Sequence, residues 1–277
     1  MAIFKPEIVN DEIRTGIKEN TDFGAVAKVD YSLEGKKGET VTFVAYNPIG
    51  PVQDDRQDTD AVVFYDLSTN EFQVPIKEMV IGARVSDKDD VQGIGNPKNE
   101  ATNQIRTAIA NQIDTNIYKA LISVPADRVI DVSNEATNNK FSYLHLAKGA
   151  ALLKLEDAED EALYFVHPDQ VVDVVNDPTW QKTGTYNGEV LNTKLTKSEV
   201  GKINDIRVFK SDKIKKDENG VYHTVLTSKR AVSVMFQKAA KVTESYDHDY
   251  LKHKMSASTL YALAVVDNSK VAVLKTK

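Results

Sequence analysis

Apolar and polar residues alternate with a period of two over residues 40–46 (TVTFVAY) and again over 72–85, where Phe72, Val74 and Ile76 interleave with Gln73, Pro75 and Lys77. That period marks β-strands with one face turned to a core. Residues 61–67 form a third β-branched and aromatic run and are expected to be a strand as well. The break Asn47-Pro48-Ile49-Gly50-Pro51 and the polar run QDDRQDTD at 53–60 place an exposed loop between them. Pro75 cannot donate to a ladder, so its strand is expected at an edge. The whole excursion over 35–90 reads as a two-stranded ribbon without a core of its own.

At residue 97 the period changes to three and four. Ala101, Ile105, Ala108, Ile109, Ile113, Ile117, Ala120 and Leu121 fall on one face, broken only by Gln112, while Arg106, Asn111, Asp114 and Lys119 take other faces. Asn96 is a good N-cap, Pro97 suits the first helical position, and Glu100 complements the dipole of the first turn. The spacing predicts one helix over 97–122, a rod of roughly 35–40 Å at about 1.5 Å per residue. Before the ribbon, residues 1–34 read as an irregular arm, with a thin helical stripe at Ile13 and Ile17.

Beyond residue 138 helices and strands alternate. Helices are expected over 142–155 and 168–175. Strands are expected at 162–166, 206–209, 222–227, 231–236, 241–244, 256–267 and 271–274, with a polar loop over 179–199 and a charged turn over 247–254. The class is α+β, with two subdomains.

Composition narrows the function. The 277 residues can bury a sizeable core, and 41% hydrophobic with 27% charged residues is ordinary for a globular chain. A net charge of −6 gives no support to non-specific nucleic-acid binding. The chain has no cysteine, which excludes disulfides, thiolate metal sites and a cysteine nucleophile. Nothing in it resembles a signal peptide or a membrane span, so it reads as soluble and intracellular.

No constellation of chemistry stands out. Gly93-Ile94-Gly95-Asn96 precedes a helix, but it lacks the third glycine and the lysine of phosphate loops, and a turn with a helix cap is the simpler account. Asp54, Asp55, Asp58 and Asp60 lack the central glycine and closing glutamate of a calcium loop. The acidic run at 156–161 reads as an exposed turn. Asp247, His248, Asp249 and His253 carry metal-capable groups, which leaves a metal-dependent enzyme as one alternative. There is no G-x-S-x-G elbow, and His145, His167 and His223 have no partner legible in sequence. Lys210, Lys213, Lys215 and Lys216 are mixed with Asp212, Asp217 and Glu218, as on a solvated surface. No cofactor is expected.

Taken in order, several stretches resemble the major capsid protein of tailed bacteriophages, with the Hong Kong 97-type fold. GETVTFVAYNPIGPVQD (38–54) resembles the strand leading into the family's extended loop, and FQVPIKEMVIGARVSDKD (72–89) the returning strand. GNPKNEATNQIRTAIANQIDTNIYKAL (95–121) resembles the spine helix with its A-N-x-I-D run, and LYFVHPDQVVDV (163–174) a strand-turn-helix of the axial domain. GKINDIRVFKSDKI (201–214) and ALAVVDNSKVAVLK (262–275) resemble later segments.

The resemblance implies an arm (1–34), an extended β-hairpin loop (35–90), a peripheral domain with the spine helix (91–137), an axial domain (138–238), returning peripheral strands (239–267) and a C-terminal strand (268–277). It implies a subunit that assembles with itself into hexamers and pentamers of an icosahedral head around double-stranded DNA, in the virion, after assembly in the host cytoplasm. Expected partners are other copies, a separate scaffolding protein, a portal and head accessory proteins, with DNA held without sequence specificity and no membrane. Because the arm begins at once, no fused scaffold is expected, and no residue licenses maturation cleavage or crosslinking. On this reading Phe43, Tyr46, Phe64, Phe72, Val74 and Ile76 of the loop face a neighbouring subunit, while Ile105, Ile109, Ile113 and Ile117 pack the spine helix on its own sheet. An encapsulin-like protein cage is the near alternative.

Overall fold

A computed structural model describes residues 22–46, 49–52, 54, 61–93, 95–133, 143–153, 161–176, 199–203, 206–229 and 231–277. The arm before residue 22 with its helical stripe, most of the 53–60 loop, the acidic run at 156–161 apart from Glu161, and nearly all of the 179–199 loop lie outside the described residues.

After a 3-10 turn at Phe23–Ala25 come β1 (Ala27–Asp30), β2 (Thr40–Tyr46), β3 (Thr69–Pro75), β4 (Lys77–Ser86), α1 (Asp87–Gln92) and α2 (Pro97–Ile122). They are followed by β5 (Val129–Asp131), α3 (Tyr143–Leu152), β6 (Ala162–Val166), α4 (Pro168–Asn176), β7 (Glu199–Ile203), β8 (Ile206–Lys210) and β9 (Tyr222–Ser228). β10 (Val232–Asp247), β11 (Lys252–Val265) and β12 (Val271–Thr276) complete the chain. The strands form a four-stranded sheet in the order β1-β10-β11-β4, a six-stranded sheet in the order β5-β12-β9-β6-β8-β7, and the separate β2–β3 ribbon.

Helix α2 holds the two sheets together. The Asn96 side chain caps it by accepting the Asn99 N–H at 3.1 Å, and Pro97 opens it. Its face of Ile105, Ile109, Ile113, Ile117 and Leu121 is buried. One core joins this face to Val85, Val234, Phe236 and Met255 of the four-stranded sheet and to Leu163, Phe165, Phe209 and Val225 of the six-stranded sheet. Each such side chain contributes about 1.5–3 kcal/mol.

Strand β6 is buried at every residue, because it is central and covered on both faces. Leu163 and Phe165 face the α2 core, while Tyr164 and Val166 join Leu146, Leu226 and Leu274 in a second core beneath α3. Gly149 lets α3 come this close: a Cβ there would lie 3.1 Å from Leu226 and 3.3 Å from Leu274.

Several elements differ from their sequence reading. Residues 61–67 join no ladder, since β-branched composition makes a strand only where a partner edge is in reach. The run over 72–85 is two strands that part at Ile76. β3 pairs with β2, whereas β4 pairs with β11, and the Ile76 N–H turns to the Glu39 carbonyl at 2.9 Å. The pieces at 231–236 and 241–244 are one strand, β10. Its alternation fails between them because register shifts at Phe236/Lys238 and Lys238/Lys241 insert bulges that change which residues face the core. The charged turn shrinks to the tip of the β10–β11 hairpin, where Leu251 takes a left-handed φ of 48°. β10 belongs to the four-stranded sheet from Val232 onward, and β12 lies within the six-stranded one.

Asp114 is the sharpest departure. It reads as a polar position on an outer face, yet it is 1% exposed. The chain around residue 22 crosses that face and brings backbone donors with it. Asp114 Oδ1 accepts the Phe23 N–H at 2.8 Å, and Oδ2 accepts the Asp22 N–H at 3.2 Å. The 3-10 turn at Phe23–Ala25 has no side-chain cap from its own Asp22, so Asp114 serves that role from the spine helix. Phe23 then fills the junction between the elements, with its ring 4.5 Å from Phe165 and 5.5 Å from Tyr118.

Ile113→Asp should abolish the fold, because it exchanges apolar burial for an unpaired buried charge, a loss well above 3 kcal/mol. Thermal denaturation checks this: no cooperative transition is expected, and a melting temperature equal to the parent's would contradict the placement.

Candidate assembly surfaces

The β2–β3 ribbon has two unlike halves. Its base folds back on the subunit's own sheet. Val41 and Phe43 are buried with Ala262 and Ala264 of β11, and Phe72, Val74, Ile76 and Leu33 pack half-buried around them. The Phe43 and Phe72 rings stack 5.6 Å apart at 13°. The Gln237 side chain fastens the approach to β2 by donating to the Lys36 and Gly38 carbonyls at 2.8 and 2.9 Å. Phe43, at 2% exposure, is therefore withdrawn from any neighbour, a correction to its sequence reading. The cause is the inward-facing period of β2, which finds a home on β11 of the same chain. Phe72, Val74 and Ile76 keep only part of their surface free.

Past this base the same ribbon is uncovered. Tyr46 is 70% and Phe64 89% exposed, and Ile49, Val52 and Leu67 are exposed with them. Tyr65 lies across Gly50, where a Cβ would sit 2.5 Å from its ring, so the outgoing and returning arms of the loop touch there. Among the described residues, this apolar cluster at the end of a narrow ribbon keeps most of its surface in water. Ile49, Val52 and Leu67 were not singled out from sequence, although Ile49 and Val52 lie in and beside the Pro- and Gly-rich break and Leu67 ends the apolar run over 61–67.

The spine-helix residues Ile105, Ile109, Ile113 and Ile117 lie at the opposite extreme, all buried within the chain.

The chemical candidates resolve into structural contacts. At the β10–β11 tip, His253 Nδ1 meets Glu244 at 2.8 Å and its Nε2 lies 3.5 Å from Asp87. The Tyr246 hydroxyl donates to Asp87 at 2.5 Å, and its ring meets His248 and His253 edge-on, each centroid 4.8 Å away. Lys254 pairs with Asp247 and, by its hydrogen bond and charge, holds that carboxyl below the usual range. Among the described residues no group of three or more His, Asp or Glu side chains is arranged to hold a metal ion. Both nitrogens of His253 face carboxylates of the same hairpin and of α1.

Gly95, with φ at +97°, is followed directly by the Asn96 cap of α2, and Lys98 pairs with Asp90 at 2.9 Å. His167 stacks on Tyr222 at 4.7 Å, His223 meets Asp217 at 3.2 Å, and His145 is buried. Of the basic cluster, Lys213 donates to Asn111 at 3.0 Å and Lys216 lies 4.9 Å over the Tyr222 ring.

No family model matches the chain. It is similar to the major capsid protein of Staphylococcus phage phiMR11, with 27% identity over 121 residues, which is 42% of this chain and 42% of that protein. The match thus spans less than half the length of that relative. Among solved structures, the capsid of Ralstonia phage GP4 aligns over 93% of this chain and 87% of its own, at 10% identity and a TM-score of 0.74. An encapsulin complex from Synechococcus elongatus aligns over 90% of this chain and 84% of its own, at 12% identity and a TM-score of 0.59. The overall fold is thus shared with phage capsid structures, and the chain has the Hong Kong 97-type capsid fold.

Proposed function

We propose that the chain is the major capsid protein of a tailed bacteriophage, a structural subunit without catalytic function. The observation that carries this reading is the uncovered apolar end of the β2–β3 ribbon, on a subunit whose fold is that of phage shells. A two-stranded ribbon is marginal in water by itself. Laid over an adjacent copy, Tyr46, Phe64 and the exposed parts of Phe72, Val74 and Ile76 would lose their contact with water. The four-stranded sheet with α2 then acts as the peripheral domain and the six-stranded sheet as the axial domain, repeated in hexamers and pentamers of an icosahedral head.

The cargo is double-stranded DNA, held without sequence specificity. A net charge of −6 suits a container that must not grip phosphates tightly. Further partners are a separate scaffolding protein, a portal and head accessory proteins, with assembly in the host cytoplasm and residence in the virion. An encapsulin-like cage is the second reading, favoured by the fold shared with the Synechococcus elongatus complex.

Electron microscopy of the expressed full chain should show closed shells, and uniform small particles would count against the proposal. Nuclease-resistant DNA inside shells from infected cells supports the phage head, whereas protein cargo alone supports the cage. Phe64→Asp should leave the melting temperature within about 2 °C of the parent, since an exposed substitution changes stability by less than about 0.5 kcal/mol. The same variant should prevent shell closure; normal shells would remove the loop from the interface. Phe72→Asp should differ in kind. It breaks the stack on Phe43, so it should destabilise the isolated subunit by about 1–3 kcal/mol in denaturant melts as well as blocking assembly.

A further inference from the structure

The segment that leads from the arm into β1 is tied to the spine helix by a buried polar contact of an unusual kind. The Asp114 carboxylate lies inside the protein, and its two oxygens accept the N–H groups of Phe23 and Asp22. On the same segment Phe23 and Val26 are both fully buried, and the Phe23 ring packs against Tyr118 and Phe165. From there the chain runs directly into β1, which pairs in parallel with β10 from Ala27 opposite Val232 to Asp30 opposite Met235. If the segment lifts, the carboxylate returns to water and β1 loses its anchor.

We propose that docking of the segment 22–30 onto the spine helix is coupled to a proton on Asp114, so that acid tightens the segment and neutral pH loosens it. The inference concerns the single subunit and is independent of the shell reading.

Among the described residues, charged groups act on Asp114 from two elements. Asp22 approaches on the segment itself, and Lys213 approaches on the loop after β8, where it also donates to Asn111. On α2, one turn away, the Tyr118 hydroxyl donates to the His223 carbonyl at 3.0 Å, and burial pushes this phenol up to about 12, far from the relevant range. Burial pushes the Asp114 carboxyl from 3.8 up to about 6. The Phe23 N–H opposes the rise, the Asp22 charge adds to it, and the Asp22 N–H and the Lys213 charge oppose it.

A carboxyl that binds its proton more tightly docked than undocked favours docking as pH falls through about 6 towards 3.8. Above about 6 that contribution is lost, because docking must then bury a charge. Between about pH 7.5 and about pH 5 the docking equilibrium should strengthen about tenfold.

Hydrogen exchange of the purified full chain, with rates corrected for the intrinsic effect of pH, tests this. Amides of residues 22–30 should be protected about tenfold more at about pH 5 than at about pH 7.5, while those in the middle of α2 stay level. Asp114→Asn keeps an acceptor for the Phe23 N–H but cannot titrate, and it should show equal protection at both values. As a second probe, Phe23→Ala removes the aromatic packing that holds the segment down, and a carbon-13 carboxyl titration should then find Asp114 nearer 3.8 than 6. Equal protection of the parent at both pH values would overturn the proposal. So would a pH dependence that survives in Asp114→Asn, or an Asp114 titration unmoved by Phe23→Ala.

Discussion

Burial of one helix on two sides at once is the constraint from which the rest of the subunit follows. The isoleucine row of α2 packs on the four-stranded sheet and reaches the six-stranded sheet through Leu163, Phe165 and Phe209. Neither sheet could bury its inner face without it. Because the helix must serve both sheets, it is long and carries a buried row from Ile105 to Leu121, and it is capped at its start by Asn96. The segment after residue 22 closes the remaining face. Phe23 enters the aromatic junction, and its backbone donors find the one carboxylate that the helix keeps inside.

The ribbon extends this logic outward. Its base is part of the subunit, stacked on β11 through Phe43 and Phe72. Its end has no such support and exposes aromatic and branched side chains. A monomer gains nothing from that arrangement, whereas a subunit in a closed lattice gains an interface at every copy. The division between base and end falls near Tyr46, where β2 stops, and it separates what the chain buries by itself from what it leaves exposed.

Much of this was legible in sequence where one local pattern decided the outcome. The spacing of Ile105, Ile109, Ile113 and Ile117 with Asn96 and Pro97 specifies α2, and the alternation at 40–46 specifies β2. What was hidden depended on contacts far apart in the chain. Asp114 reads as polar surface because its partners, the N–H groups of Asp22 and Phe23, lie more than ninety residues away. Strand β10 reads as two pieces because bulges near Lys238 break its period. The run over 61–67 reads as a strand because composition does not reveal whether a partner edge exists. Phe43 and Phe64 look alike in sequence, and only the fold of β2 onto β11 assigns one to the interior and leaves the other in water. The tip cluster around His253 offered metal-capable residues, and the fold brings Glu244 and Asp87 to its ring, which the sequence spacing alone did not reveal.

The central claim is that the spine-helix core is complete within one chain while the ribbon's end is completed by a neighbour. Hydroxyl-radical footprinting of dispersed subunits and of assembled particles tests it most directly, because it reads both regions in one sample. The account predicts that Tyr46, Phe64 and Tyr65 are oxidised readily in dispersed subunits and strongly protected after assembly, while Ile113 and Leu121 are protected in both. Loop residues oxidised equally in both states, or spine residues protected only after assembly, would contradict it.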